Sequence, residues 1–209
     1  MMRLLLLIVM VLGAVLVVAA QAESPTVGAC PVFPPDNPWN TDISDFPVDP
    51  NSDAYIASIS AEGDEYLHAD FGEDPTYGIP YIVVDGDQPP VEINFVDYGD
   101  ESDPGPYPIP EDAPVEAGGD RHVIAVDDAY CMLYELYNAE WNGDGWDASS
   151  GAVWNLLSNE LRPEGWTSAD AAGLPIFPGL VRYDEIEAGA INHALRFTVS
   201  ESQRAYIHP

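Results

Sequence analysis

His122, Glu135 and His193 are the residues whose types and surroundings suggest chemistry. Each is ionisable, and each falls in a run where apolar residues alternate. His122 takes the same side as Ile124 and Val126. Glu135 falls with Cys131, Leu133 and Tyr137. His193 falls with Ile191, Leu195, Phe197 and Val199, while Asn192, Ala194, Arg196 and Thr198 take the other side. Successive side chains of a strand point to opposite faces, so all three are expected on the more apolar face. A polar group buried there must be paired. Gathered at the mouth or floor of a sandwich, the three would act as general acid and base, or as three ligands of a metal. Kept apart, they are three separately satisfied core groups, and nothing in the sequence shows that their strands adjoin.

Asp120 and Arg196 complete the candidate catalytic set. Asp120-Arg121-His122 packs an acid, a cation and a titratable ring into three residues, although on a strand the middle one faces away. Arg196 would neutralise the acid group of a uronate in lyase chemistry. Asp103 lies in a loop, where carboxylates often work, but it is one of 36 acids. Asp170 reads as the capping-box partner of Thr167, which argues against a chemical role. Of five tryptophans, Trp39, Trp146 and Trp166 are the candidate sugar-stacking surfaces. The competing reading is that they pack beneath long loops.

These side chains need elements to hold them. Asp49-Pro50 predicts the start of a short helix, about Asn51 to Ile59. Tyr81 to Val84 reads as a buried strand and 91–95 as a half-buried one. Prolines and glycines in 97–119 forbid regular structure there. His122 to Val126 and Tyr130 to Asn138, joined at Asp127-Asp128, read as a β-hairpin. Asn142 to Asp147 reads as a turn, Ala152 to Leu157 as a strand and Thr167 to Asp170 as one capped helical turn. A second short helix is expected over Tyr183 to Ala188, and a last long strand over Ala190 to Val199. The expected fold is mainly β: a β-sandwich or jelly roll with a few short helices and long loops.

Composition sets the outer bounds. The net charge is −30, and all six cations are arginines. So acidic a domain repels itself unless salt screens the charge, which points to a salt-adapted, halophilic setting. Phosphate backbones need a basic surface, so nucleic acid is not a partner, and anionic membranes are excluded on the same ground. Arg3, the apolar run Leu4–Ala19 and Ala20-Gln21-Ala22 read as a signal peptide over residues 1–22. The mature single domain is then 23–209, secreted to the extracellular space or periplasm. Cys30 and Cys131, two cysteines in an exported chain, suggest one disulfide. No metal site is assigned. Ca²⁺ is the ion that NGDGWD and DYGDESD could offer oxygens to, and neither matches the EF-hand spacing.

DNPWN (36–40), YGIPY (77–81), DRHVIAVD (120–127), SGAVWNL (150–156) and the long block LRPEGWTSADAAGLPIFPGLVRYDEIEAGAINHALRFT (161–198) carry a family resemblance. The chain resembles a group of large secreted proteins of bacteria and some fungi, over most of 31–209. No activity is attached to that group, so the resemblance implies kinship rather than chemistry. Its members continue past the equivalent of AYIHP. The resemblance therefore implies a chain that lacks its last strands.

The leading expectation is an exported carbohydrate-active protein, a glycoside hydrolase or polysaccharide lyase acting on an extracellular glycan. Hydrolysis would need two carboxylates facing each other across a cleft. The alternative is a non-catalytic glycan-binding, cell-surface or structural protein.

Overall fold

The computed structural model describes residues 23–61, 78–199, 201–203 and 205. The expected signal peptide, 1–22, lies outside the described residues. Among the described residues there are nine short strands: β1 (Thr26–Val27), β2 (Cys30–Pro31), β3 (Ile82–Val84), β4 (Glu92–Phe95), β5 (Val123–Asp127), β6 (Met132–Tyr137), β7 (Glu140–Trp141), β8 (Gly145–Ala148) and β9 (Ser150–Asn155). Two helices accompany them, α1 (Ser52–Ile59) and α2 (Tyr183–Ala188), with 3₁₀ turns at Gly99–Glu101 and Phe177–Gly179.

β5 is the centre of the fold. All five residues of VIAVD are buried. A strand covered on both faces loses the apolar–polar alternation and reads as a continuous apolar run. The sheet around it has the order β3-β5-β6-β9. On one face Val123, Ala125 and Leu136 share a core with Trp146 and Ala148 of a second sheet, β4-β8-β7, and with Tyr107 and Ile109 of the long loop. On the other face Ile124, Val126, Leu133, Ala152 and Trp154 meet Val27 of β1 with Val32 and Phe33 after β2, and Ala169, Ile176 and Phe177 from further along the chain. The central sheet thus has a sheet on one side and a cover of mostly irregular chain on the other. The Cys30–Cys131 disulfide, Cα–Cα 5.4 Å, fastens that cover to the turn between β5 and β6.

The mainly β expectation holds, and so does the hairpin, now β5 and β6. Two pairings, β3–β5 and β4–β8, are parallel, so the architecture is two small mixed sheets around a shared core, with the two-stranded β1–β2 sheet as a third. The β4–β8 pair depends on Gly145, where a Cβ would lie 2.3 Å from the Glu92 carbonyl oxygen.

Several local expectations are corrected. Residues 190–199 do not form a strand. Ala194 and Arg196 donate their N–H groups to the carbonyls of Trp39 and Gly179, so the segment lies along two loops rather than against a sheet. Its alternation marks an extended chain with one side inward, which needs no ladder. Thr167 to Asp170 forms no helical turn, because the Ser168 hydroxyl takes the Asp170 N–H and donates onward to carbonyls of the same bend. NGDGWD is a turn only in its first half, since Gly145 begins β8. The 97–119 loop holds one 3₁₀ turn and a bridge between Val91 and Tyr107.

Candidate functional site

Glu135 is fully buried in β6, opposite Ile124 of β5 and Ala152 of β9. It projects into the coil-covered face, as its alternation with Leu133 requires. Its carboxylate accepts the N–H groups of Phe177 (2.8 Å) and Ile176 (3.0 Å) and the indole N–H of Trp154 (3.2 Å). Burial raises its carboxyl to about 7; the N–H groups of Phe177 and Ile176, then His122 and Trp154, oppose that rise. Burial prevails because removing a carboxylate from water outweighs the donors that solvate it inside.

His122 enters the same face beside β5 and is also buried. Its Nδ1 lies 2.5 Å from Glu116 Oε2 and its Nε2 3.1 Å from the Ala169 carbonyl. Both ring nitrogens are engaged, and the ring packs against Tyr137. A general base must reach a proton on its substrate. Neither Glu135 nor His122 presents a free edge to solvent, so what they perform here is the fastening of coil to sheet.

His193 belongs to another cluster. Its Nε2 is 2.9 Å from Glu185 Oε1, at ion-pair distance without the alignment of a hydrogen bond. Glu185 also receives Arg182 Nη2 at 2.9 Å and the Arg182 N–H at 3.0 Å. The Arg182 guanidinium lies over the Phe177 ring, 5.5 Å from its centre. Tyr81 meets the same ring edge-on at 4.9 Å. The Tyr81 hydroxyl is held above its usual pKa by burial and then by Asp184. The expected trio of His122, Glu135 and His193 is therefore divided. Two members share the covered face of the sheet, and the third is bonded into the start of α2. Phe177 joins the two groups, its N–H on Glu135 and its ring beneath Arg182.

Arg182, Glu185 and Tyr81 were not legible as site residues. The available signal was Arg182-x-x-Glu185 at the start of a predicted helix, inside a stretch otherwise thin in acids.

Arg196 pairs with Asp170, Nη2–Oδ2 2.5 Å, so Asp170 is an ion-pair partner rather than the cap of Thr167. Asp120 is exposed at the end of its loop. Trp146 is 1% exposed and donates its indole N–H to the Ile109 carbonyl, which corrects its reading as a sugar platform. Trp39 is half-buried against the coil-side core. Trp166 is half-buried with the Arg162 guanidinium above its ring.

The acidic loops hold themselves together. Asp147 accepts the side-chain amides of Asn94 and Asn142, Asp103 pairs with Arg162, and Glu101 accepts the Thr167 N–H. Among the described residues, no group of three or more His, Cys, Asp or Glu is arranged to hold a metal ion. No helix among them is long and apolar enough to cross a membrane.

An open hollow of about 330 Å³ lies beside α2, lined by Glu185, Ile186, Gly189, Ala190 and Ile191. Tyr183 is 75% exposed one turn before Ile186, and its hydroxyl donates to Glu187 at 3.2 Å. Residues three and four apart share a helix face. Tyr183, Ile186 and Glu187 therefore share one side of α2, and of these residues Ile186 lines the hollow, together with Glu185. Compared with family models, curated proteins and solved structures, the chain finds no match.

Proposed function

We propose that this chain is a non-catalytic exported domain that binds an uncharged glycan at the hollow beside α2. The observation that carries the reading is the exposed side of α2 next to that hollow. Tyr183 and Ile186, both exposed, supply an apolar surface, and the exposed Glu187 supplies an acceptor for sugar hydroxyls, while the Glu185 carboxylate is already held by Arg182. Aromatic faces with a polar partner at the edge suit the two-sided character of a sugar ring. The catalytic alternative lacks support from the residues first suspected, because Glu135 and His122 are buried and spent on backbone and carboxylate partners.

The preference for an uncharged glycan follows from charge. Arg162, Arg182 and Arg196 are each paired with a carboxylate. With a net charge of −30, the surface would repel a polyuronate. The disulfide supports export, since such bonds persist in oxidising compartments.

Affinity electrophoresis through gels containing neutral or acidic polysaccharides, run with added salt, tests this. Retardation by a neutral glycan, its loss in Tyr183→Ala and no release of reducing ends is the expected result. Retention by acidic polysaccharides only, or release of reducing ends or unsaturated uronates, would overturn it.

A further inference from the structure

Within its own sheet the carboxylate of Glu135 accepts the Trp154 indole N–H of β9. It also reaches out of β6 to the N–H groups of Ile176 and Phe177, 41 and 42 residues later in the chain. Those groups open the Phe177–Gly179 turn, which no side chain of its own end caps. The first N–H groups of a helical turn have no partner inside it. Glu135 supplies that partner from a strand beneath.

The α2 hollow depends on this turn. The Phe177 ring is the surface on which Tyr81 packs and over which Arg182 lies. Arg182 in turn holds the carboxylate of Glu185, a residue that lines the hollow. At the end of the turn, the Gly179 carbonyl takes the Arg196 N–H. A Cβ at Gly179 would lie 2.9 Å from Arg196 and from the Trp39 ring, so the turn has little room to shift.

We propose that Glu135 is a positioning residue and a proton-sensitive latch for the α2 hollow. Ionised, it pins the Phe177–Gly179 turn under Arg182; protonated while still sealed from water, it loses a donor contact, which slackens the turn and, through Arg182, the wall. A carboxylate accepts on both oxygens, whereas a carboxylic acid turns one oxygen into a donor. The hydrogen-bond partners of Glu135 are themselves donors: the N–H groups of Ile176 and Phe177 and the indole N–H of Trp154. An added proton meets donors, and one contact is lost.

The charged and titratable groups packed around it come from several elements. His122 stands beside it from the β5 side, itself on Glu116. Arg162 lies behind Trp154, and Arg182 and Tyr81 lie behind Phe177. His122 favours the ionised form and burial the neutral one, with burial the larger, which places the change at about pH 7. The latch does not require the ligand to be a glycan.

Two-dimensional ¹H–¹⁵N NMR of the full chain without ligand, between about pH 5 and 9, tests it. The Trp154 indole and the Ile176 and Phe177 amides are expected to shift together with one midpoint near 7. The Ile186 and Ala190 amides should follow with the same midpoint. Glu135→Gln should flatten all of these. His122→Gln, which removes a favourable neighbour, should raise the midpoint and serves if Glu135→Gln does not fold. Wild-type signals that stay flat would overturn the latch. So would a Trp154 shift that Ile186 and Ala190 do not follow, or a midpoint that His122→Gln leaves unmoved. Because no glycan is present, this outcome is read separately from the glycan test.

Discussion

Arg196 meets Asp170 at 2.5 Å across 26 residues of sequence, and both side chains keep access to water, at 30% and 20% exposure. Arg162 makes the contrasting pair. Its side chain is 6% exposed and reaches Asp103, the carbonyls of Glu101 and Thr167, and the faces of Trp154 and Trp166. Partly exposed ion pairs contribute about 1 kcal/mol or less. Asp103 is itself 31% exposed, so what Arg162 adds is its buried contacts: removing it takes the donor from the Glu101 and Thr167 carbonyls, about 1–3 kcal/mol for each one left buried without a partner. Arg196→Ala is therefore expected to leave the denaturant midpoint nearly unchanged, and Arg162→Ala to lower it sharply. Equal effects in urea unfolding would refute the distinction.

The buried carboxyl gives stability a pH dependence of definite sign. Glu135 is raised from 4.5 to about 7 on folding, so the folded state holds the proton more tightly over that window. Its contribution is fully present below 4.5 and is lost as pH rises to about 7, a change of about 3 kcal/mol. Other carboxylates titrate too, but they cancel in the difference between wild type and Glu135→Gln. The gap in unfolding free energy between the two should change by that amount across the window. A gap independent of pH would count against the assignment.

Reduction of Cys30–Cys131 frees a loop of 101 residues. The chain-entropy estimate for such a loop is about 4–5 kcal/mol. Thermal unfolding with and without reductant should show a correspondingly large fall in Tm. A fall of only a degree or two would mean that the cover holds to the sheet without its staple.

Salt should stabilise the fold. At −30 net charge, self-repulsion is spread over the whole surface. Raising monovalent salt from about 0.1 M to 1 M shortens the screening length from about 10 Å to 3 Å. Tm is expected to climb steadily over that range, and a flat or falling curve would contradict the electrostatic account.

Much of the scaffold was legible because its signals are local. Tyr183 to Ala188 was expected as a helix and is one, within the same limits. The β5–β6 hairpin followed from two apolar runs around Asp127-Asp128. Side-chain direction was legible as well: His122 and Glu135 both point into the same covered face. What periodicity could not supply was the identity of the covering layer. Alternation at Ile191, His193 and Leu195 records that one side faces inward, and loops at Trp39 and Gly179 satisfy that as well as a strand would. Arg182 and Glu185 escaped notice because their importance comes from Phe177 beneath them, a contact with no trace in spacing. Trp146 was misplaced for a similar reason. Its neighbours Asn142 to Gly145 look like an exposed turn, yet the chain enters β8 just there and buries the indole.

The position of the disulfide also decides how the molecule answers a pulling force. Tension applied at the N-terminal end of the described chain passes through β1 and β2 to Cys30, and from there directly across to Cys131. The 101-residue loop between them is shielded from that path. About 350 Å of potential extension stays locked while the bond is intact. Under load the oxidised chain is mechanically a short molecule, and reducing conditions make it a long one.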